Sequence, residues 1–165
     1  MTSAQGGSLF ATLLIPRTYC ITYNYVRMNN NSIYIVDDDA EDEDIIREAF
    51  KDLDIKNPLK FFTSAEDILY ELKKDAEVPF IIISDVNLPK IDGFKLREKI
   101  LNESSVKDKS IPFIFWSTSA SEAQIKKAYD LSAHGFFLKG RSFTELKKQI
   151  REMIEYWSDS LAPQQ

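Results

Sequence analysis

Short apolar runs rich in β-branched residues recur along the chain, and amphipathic stretches separate them. The clearest run, Phe80-Ile81-Ile82-Ile83, is too short for a helix and has no polar position. This pattern is typical of a strand buried on both faces, as in a parallel sheet. Five such runs are predicted as strands: residues 32–36, 59–62, 80–84, 111–116 and 136–138.

The stretches between these runs repeat apolar residues at helical spacing, which indicates amphipathic helices. The first helix, residues 41–53, places Ile45, Ile46, Ala49 and Phe50 on one face. The others are predicted to begin near Ser64, Gly93, Ser119 or Ser121, and Ser142, and the last to end at Trp157. Strands that alternate with helices form a parallel sheet covered on both faces. The predicted fold is therefore α/β, with a five-stranded parallel sheet.

This alternation leaves room for one domain, over residues 31–157. Residues 1–30 contain no Asp or Glu, and their apolar run, residues 9–15, is too short to span a bilayer. We expect residues 1–30 to be a disordered extension outside the core, with Met28 as an alternative start. Residues 158–165 are polar or contain proline, which predicts a frayed tail.

Composition excludes several kinds of site. The net charge of −5 gives no electrostatic reason to bind nucleic acid. A single cysteine, Cys20, rules out an internal disulfide framework and a multi-cysteine zinc site. His134 is the only histidine, so a histidine-based metal cluster or triad would rest on it alone. Neither glycine-rich phosphate-binding motif, G-x-x-x-x-G-K-S/T or G-x-G-x-x-G, occurs.

Acidic residues follow two of the predicted strands. Asp37, Asp38 and Asp39 follow the first strand, and Asp85 follows the third. The carboxyl ends of parallel strands meet at one edge of the sheet, where ligands bind in open α/β folds. Two unit charges 4 Å apart interact by about 4 kcal/mol at an effective dielectric constant near 20, so a cation or a retained proton is expected there. Oxygen ligands favour Mg²⁺. The alternative is that these residues cap helices and turns.

Two further polar groups stand at strand ends, Ser117 after the fourth strand and Lys139 after the fifth. A carboxylate can attack phosphorus, and a lysine can neutralise phosphoryl oxygens. The set therefore suits phosphoryl transfer, which depends mainly on positioning and charge neutralisation. Taken singly, Lys139 could be a solvated lysine, and Ser117 a core hydroxyl bonded to the backbone.

Residues 32 to about 157 resemble the receiver domain of two-component response regulators. The family has an acidic pair after strand one, an acceptor Asp after strand three, a Ser or Thr after strand four and a Lys after strand five. The matching residues are Asp37, Asp38, Asp85, Ser117 and Lys139. The run from Asp85 to Pro89, followed by Asp92-Gly93, is similar to the family's D-x-x-M/L-P-x-x-D-G. The resemblance implies a flavodoxin-like (βα)5 fold.

The resemblance also implies roles for these residues. Asp85 would accept a phosphoryl group from a sensor histidine kinase or a histidine phosphotransfer protein. Asp38, Asp85 and the main-chain carbonyl of Asn87 would bind Mg²⁺, with Asp37 acting through water. Lys139 would pair with the phosphoryl group, and Ser117 and Phe136 would form the switch.

The same resemblance implies a stand-alone, cytoplasmic signalling protein rather than a turnover enzyme, with no membrane contact. Its output would be changed contacts with a downstream protein or onward phosphorelay. A homodimer could form through helix 4, strand 5 and helix 5, around Tyr129, Phe136 and Lys147. The alternatives are a degenerate receiver that binds partners constitutively and an aspartate-nucleophile phosphatase. The phosphatase ranks low because Asp85-Val86-Asn87 lacks a second Asp.

One position departs from the family. Gly140 stands where the family usually has a proline joined by a cis peptide bond. Without proline the cis form costs about 2.5–4 kcal/mol, so we expect a trans bond and a differently shaped loop before Arg141. His134 is expected to be an ordinary surface residue, and Trp116 to pack in the core.

Overall fold

The computed structural model describes residues 25–26, 30–74, 77–107, 110–160 and 162–163. The main strands are β1 (Ile33–Val36), β2 (Leu59–Phe62), β3 (Ile81–Ser84), β4 (Phe113–Ser117) and β5 (Gly135–Leu138). The main helices are α1 (Ala40–Asp52), α2 (Ala65–Lys73), α3 (Gly93–Asn102), α4 (Glu122–Asp130) and α5 (Phe143–Asp159). A single helical turn, Ser104–Lys107, lies between α3 and β4.

The five main strands form one sheet in the order β2-β1-β3-β4-β5, and every neighbouring pair is parallel. This confirms the predicted sheet. The register places Val36 beside Ser84, and Ser117 beside Leu138. The residues that follow β1, β3, β4 and β5 therefore emerge side by side at one edge.

Each main helix begins at a side-chain cap. The capping residues, whose side chains accept a backbone N–H of the first turn, are Asp39, Ser64, Asp92, Ser121 and Ser142. Such caps typically stabilise a helix by about 1 kcal/mol. Of the two serines predicted for α4, Ser121 is the cap, and it forms a full capping box with Gln124.

The core has two layers, one on each face of the sheet. Helices α2, α3 and α4 cover one face, where Phe113 and Phe115 are buried. Helices α1 and α5 cover the other, where Ile114 and Trp116 are buried. Trp116 is only 1% exposed, so its predicted core position is confirmed. Ile45 is 44% exposed, and its assignment to the buried face of α1 is wrong.

The chain ends add one small feature. Tyr25–Val26 pairs antiparallel with Ala162–Pro163, and α5 ends at Asp159, two positions beyond the predicted Trp157. Residues 1–24 and 27–29 lie outside the described residues, so their expected disorder stays a prediction. Among the helices that the structure describes, none combines the length and hydropathy needed to cross a membrane.

Candidate functional site

The polar residues at the strand ends are held by backbone hydrogen bonds that extend the sheet. The N–H of Asp37 donates to the Phe62 carbonyl at 2.9 Å. The N–H of Asp85 donates to the Val36 carbonyl at 2.9 Å, and the N–H of Lys139 donates to the Ser117 backbone carbonyl at 2.8 Å. Three of the candidate residues, Asp37, Asp85 and Lys139, are therefore anchored to a neighbouring strand at the predicted edge.

Lys139 is the centre of this edge. Its Nζ lies 2.6 Å from Asp37 Oδ2, 2.5 Å from Asp42 Oδ2 and 3.5 Å from Asp85 Oδ2, and its side chain is only 9% exposed. Burial opposes the charge on Lys139, but its bonds to Asp37 and Asp42 outweigh burial and hold its pKa above the ordinary value. The alternative of a solvated strand-end lysine is therefore wrong.

The acidic run after β1 divides into three different environments. Asp37 is buried, and burial raises the pKa of its carboxyl group against the lowering effect of Lys139. Asp38 is exposed. Asp39 accepts from the Glu41 N–H at 2.9 Å and is the cap of α1. The capping interpretation is thus correct for Asp39, while Asp37 belongs to the lysine cluster.

The two carboxylate oxygens of Asp85 have different partners. Its Oδ1 accepts from the N–H groups of Val86 at 2.5 Å and Asn87 at 3.2 Å, and its Oδ2 faces Lys139. One oxygen therefore organises the following turn, and the other is left facing the cluster. The turn passes so close to the start of α3 that a Cβ at Gly93 would lie 2.2 Å from the Asp85 carbonyl oxygen. Only glycine fits there.

Ser117 carries an unpaired hydroxyl. The residue is 0% exposed, and its Oγ is the single buried side-chain N or O without a hydrogen-bond partner among the described residues. The alternative of a core hydroxyl bonded to the backbone is therefore wrong. Burying a hydroxyl without a partner costs about 1–3 kcal/mol, so its position has an energetic cost that a ligand oxygen could offset.

Asp42 was not predicted from the sequence. It lies in the first turn of α1, three positions after the cap Asp39, and its Oδ2 contacts Lys139 Nζ. The signal was present in the acidic stretch from Glu41 to Asp44, but such runs at a helix start are expected from the helix dipole alone.

The oxygen atoms of the candidate site are of the kind that bind a hard cation, although they are not arranged around a common point. Three carboxylates, those of Asp37, Asp38 and Asp85, and the Asn87 carbonyl are oxygen donors of the kind that Mg²⁺ prefers. Among the described residues, no group of three His, Cys, Asp or Glu side chains is arranged to hold a metal ion. Lys139 instead contacts Asp37 and Asp85. The unpaired Ser117 hydroxyl nearby is consistent with a further polar ligand.

The predicted switch aromatic, Phe136, is half-buried on β5. Its ring centroid lies 6.0 Å from that of Phe115, on the face covered by α2, α3 and α4. Tyr129, on the neighbouring helix α4, is 58% exposed. The two residues lie on α4 and β5, and the output face expected around them and Lys147 stays a prediction.

The two remaining sequence predictions concern Gly140 and His134. There is no cis peptide bond in the described part of the chain, so the bond before Gly140 is trans, as predicted. His134 precedes β5 and is exposed, at the opposite end of that strand from Lys139. Its Nδ1 accepts from the Phe113 N–H at 3.0 Å, so it also has a structural contact.

Comparison with known proteins agrees with this geometry. The chain matches the family model of the response regulator receiver domain over residues 33–151. It is 26% identical over 129 residues to the probable methanogenesis regulatory protein FilR2 of Methanothrix harundinacea, covering 76% of this chain and 82% of that protein. It is 25% identical over 134 residues to the response regulator Rcp1 of Synechocystis, covering 78% and 90% respectively.

A solved structure extends the likeness to three dimensions. The phosphorylated cyanobacterial phytochrome response regulator RcpA matches with a TM-score of 0.72 at 25% identity, over 80% of this chain and 98% of that one. The parallel sheet, the polar residues at its carboxyl edge and the family match over residues 33–151 agree with one another. This chain therefore belongs to the response regulator receiver domain family.

Proposed function

We propose that this protein is a phosphorylation-switched receiver in which Asp85 accepts a phosphoryl group. The observation that carries the proposal is the arrangement around Asp85. Its Oδ1 is held by two backbone N–H groups, and its Oδ2 faces the buried cation Lys139. The nearby strand β4 ends in Ser117, whose buried hydroxyl has no partner in the described structure. An acceptor, a counter-charge and a free donor are thus present together.

In the proposed reaction, Asp85 Oδ2 attacks the phosphorus of a phosphohistidine. A P–O bond forms as the P–N bond breaks, and the electron pair of that bond stays on the imidazole nitrogen. The product is an acyl phosphate on Asp85. Lys139 offsets the charge of the phosphoryl oxygens, and Ser117 donates its hydroxyl to one of them. The protein acts here as an acceptor rather than as a turnover enzyme.

The cation expected for this chemistry is Mg²⁺. Asp38, Asp85 and the Asn87 carbonyl would hold it, and Asp37 would contact it through water. The ion would neutralise charge on the transferring phosphoryl group. The exposed carboxylate of Asp38 is available for this role, and Asp37 stays paired with Lys139.

The phosphodonor would be a sensor histidine kinase or a histidine phosphotransfer protein. A groove of about 580 Å³ between α1 and α5 opens beside the cluster, and Asp42, Ile45 and Leu138 are among its lining residues. Ile45 and Leu138 are 44% and 52% exposed. A protein that transfers a phosphoryl group to Asp85 must contact this edge of the sheet. The exposed apolar side chains of the groove offer that protein a surface to bind.

The output would pass through Ser117 and Phe136 to a downstream protein or a second copy of the chain. Phosphorylation biases a two-state element, here Ser117 with the half-buried Phe136. The affected surface would be α4, β5 and α5. Phe136→Ala should then leave phosphorylation intact but uncouple it from partner binding or self-association. Equal coupling in the variant and the parent would remove Phe136 from the switch.

The first experiment measures phosphoryl incorporation from a small acyl phosphate, with Mg²⁺ or with a chelator. We expect labelling of the parent that requires Mg²⁺ and disappears in Asp85→Asn. Asp44→Asn is the matched control, since Asp44 is an exposed carboxylate on α1. If a folded parent takes no label, the degenerate receiver that binds partners constitutively becomes the better account.

A further inference from the structure

The side-chain amide of Gln149, on α5, binds the backbone on both sides of Lys139. Its Nε2 donates to the Leu138 carbonyl at 2.6 Å, and its Oε1 accepts from the Gly140 N–H at 3.0 Å. Leu138 and Gly140 are the immediate neighbours of Lys139 in the chain. One amide therefore fixes the peptide groups before and after the lysine.

The orientation of this amide is determined by its partners. The Gly140 N–H and the Trp116 Nε1–H can only donate, and the Leu138 carbonyl can only accept. Gln149 Oε1 takes both donors, at 3.0 Å from each, and Nε2 faces the carbonyl. The reversed amide would put a donor against two donors, so a single arrangement satisfies all three contacts.

The surroundings of Gly140 explain why glycine suits this loop and proline does not. A Cβ at position 140 would lie 2.7 Å from Glu145 Cβ and 2.8 Å from the Leu146 backbone nitrogen. A proline would add that Cβ and would also remove the N–H that Gln149 accepts. The loop is thus held against α5 by hydrogen bonding and close approach, not by a rigid proline ring.

The third contact of Gln149 reaches the neighbouring strand. Trp116 is buried on β4 and directly precedes Ser117. Its indole N–H donates to the same Oε1 that accepts from Gly140. The segments that carry Ser117 and Lys139 are therefore tied to each other through one side chain.

We propose that Gln149 is a positioning residue for phosphorylation, which sets the place of Lys139 relative to Asp85 and Ser117. This inference rests on the proposed function, in which Lys139 pairs with the phosphoryl group. Gln149 acts only through the backbone and Trp116, and none of its hydrogen bonds reaches a carboxylate of the cluster.

The test compares Gln149→Met with the parent, because Met keeps the length of the side chain and loses all three hydrogen bonds. We expect phosphorylation by an acyl phosphate with Mg²⁺ to slow by on the order of ten-fold or more, since a misplacement of about 1 Å can cost about 100-fold. Gln149→Glu keeps the two accepted bonds but puts an acceptor against the Leu138 carbonyl, so it should also slow phosphorylation. Lys148→Met on the same helix, exposed and paired only loosely with Glu152 at 3.6 Å, is the control.

A double-mutant cycle separates positioning from general stability. If Gln149 acts through Lys139, Gln149→Met should not slow phosphorylation further in a Lys139→Ala background. Additive losses in the double variant would overturn the proposal, and so would a parental rate in Gln149→Met. Should Gln149→Met fail to fold, the same cycle is run with Gln149→Glu and decides the matter in the same way.

A readout independent of phosphorylation keeps this inference distinct from the proposed function. In Gln149→Met the amide of Gly140 should exchange with solvent faster than in the parent, and the fluorescence of Trp116 should shift. Trp157→Phe in both proteins removes the other tryptophan signal. If the parent takes no label but Gln149→Met still changes the Gly140 exchange and the Trp116 fluorescence, the Gln149 contacts are real and the proposed role of Lys139 is wrong. Unchanged exchange at Gly140 would refute the Gln149 contacts themselves.

Discussion

Lys139 and Asp42 form an ion pair at 2.5 Å although 97 positions separate them in the chain. The same ammonium group lies 1 Å farther from Asp85 Oδ2, at 3.5 Å. Helix α1 thus contributes a carboxylate that, like Asp37 at 2.6 Å, lies closer to the lysine than the proposed acceptor does. A phosphoryl group on Asp85 would have to compete with Asp42 for Lys139.

The first prediction concerns Asp42→Asn. Removing the competing charge should speed phosphorylation at saturating Mg²⁺ by up to about ten-fold, which corresponds to about 1.4 kcal/mol. Initial rates of label incorporation from an acyl phosphate measure this. The control is Asp52→Asn on the same helix, because Asp52 pairs with Lys147 and not with Lys139. It should leave the rate unchanged. A rate as low as that of Lys139→Ala would show that Asp42 assists rather than competes.

The second prediction compares two buried serines at strand ends. Ser117→Ala removes a hydroxyl without a partner and should raise the free energy of unfolding by about 1 kcal/mol. Ser84→Ala removes a hydroxyl that donates to the Asp85 carbonyl at 2.8 Å and should lower it by about 0.5–1.5 kcal/mol. Denaturant unfolding of both variants checks the opposite signs. Destabilisation by Ser117→Ala equal to that of Ser84→Ala would mean that Ser117 has a partner.

The third prediction tests the close approach behind the acceptor. Gly93→Ala places a Cβ against the Asp85 carbonyl oxygen, at 2.2 Å, and backbone cannot move aside cheaply. We expect a loss of about 1–3 kcal/mol or more in the free energy of unfolding. In Gly135→Ala the nearest atom, at 3.1 Å, belongs to the Phe137 ring, which can rotate. A thermal melt should show the larger loss for Gly93→Ala, and the reverse order would contradict the site geometry.

The fourth prediction is a pH dependence at His134. Partial burial of the His134 ring and the charge of Arg97 lower the pKa of His134. The unfolded chain then binds a proton more readily than the folded one, so the contribution of His134 to stability is present above pH about 6.5 and is lost on acidification through the folded pKa.

Thermal melts at about pH 7.5 and 5.5, on either side of the ordinary histidine pKa, test this. The parent should lose more stability on acidification than His134→Asn, which has no group that titrates in this range. His134 is the only histidine, so no other imidazole contributes to the difference. An equal loss in both proteins would show that His134 is not responsible.

Most of the fold could be predicted because its signals are local. The strands buried on both faces are short apolar runs, and three of the main helices begin at serine caps, Ser64, Ser121 and Ser142, that the sequence indicates. The predicted start of β4 at residue 111 was two positions early, because Pro112 has no N–H and contributes only its carbonyl, which accepts from Ile82. Ile45 was misplaced because it borders the groove between α1 and α5.

The site residues were predictable only where a polar residue directly follows an apolar strand. Asp85, Ser117 and Lys139 stand at strand ends, so the sheet itself brings them together. Asp42 and Gln149 lie on helices, and their contacts depend on how α1 and α5 pack, which no local pattern specifies. The unpaired state of the Ser117 hydroxyl likewise depends on its surroundings.

The central claim is that Asp85 accepts the phosphoryl group with the help of a divalent cation. The most direct test treats the protein with an acyl phosphate, measures the intact mass, and maps the modified peptide. We predict one added phosphoryl group on the peptide that contains Asp85 when Mg²⁺ is present, and none with a chelator. Modification of a different residue, or equal modification with the chelator, would contradict the account.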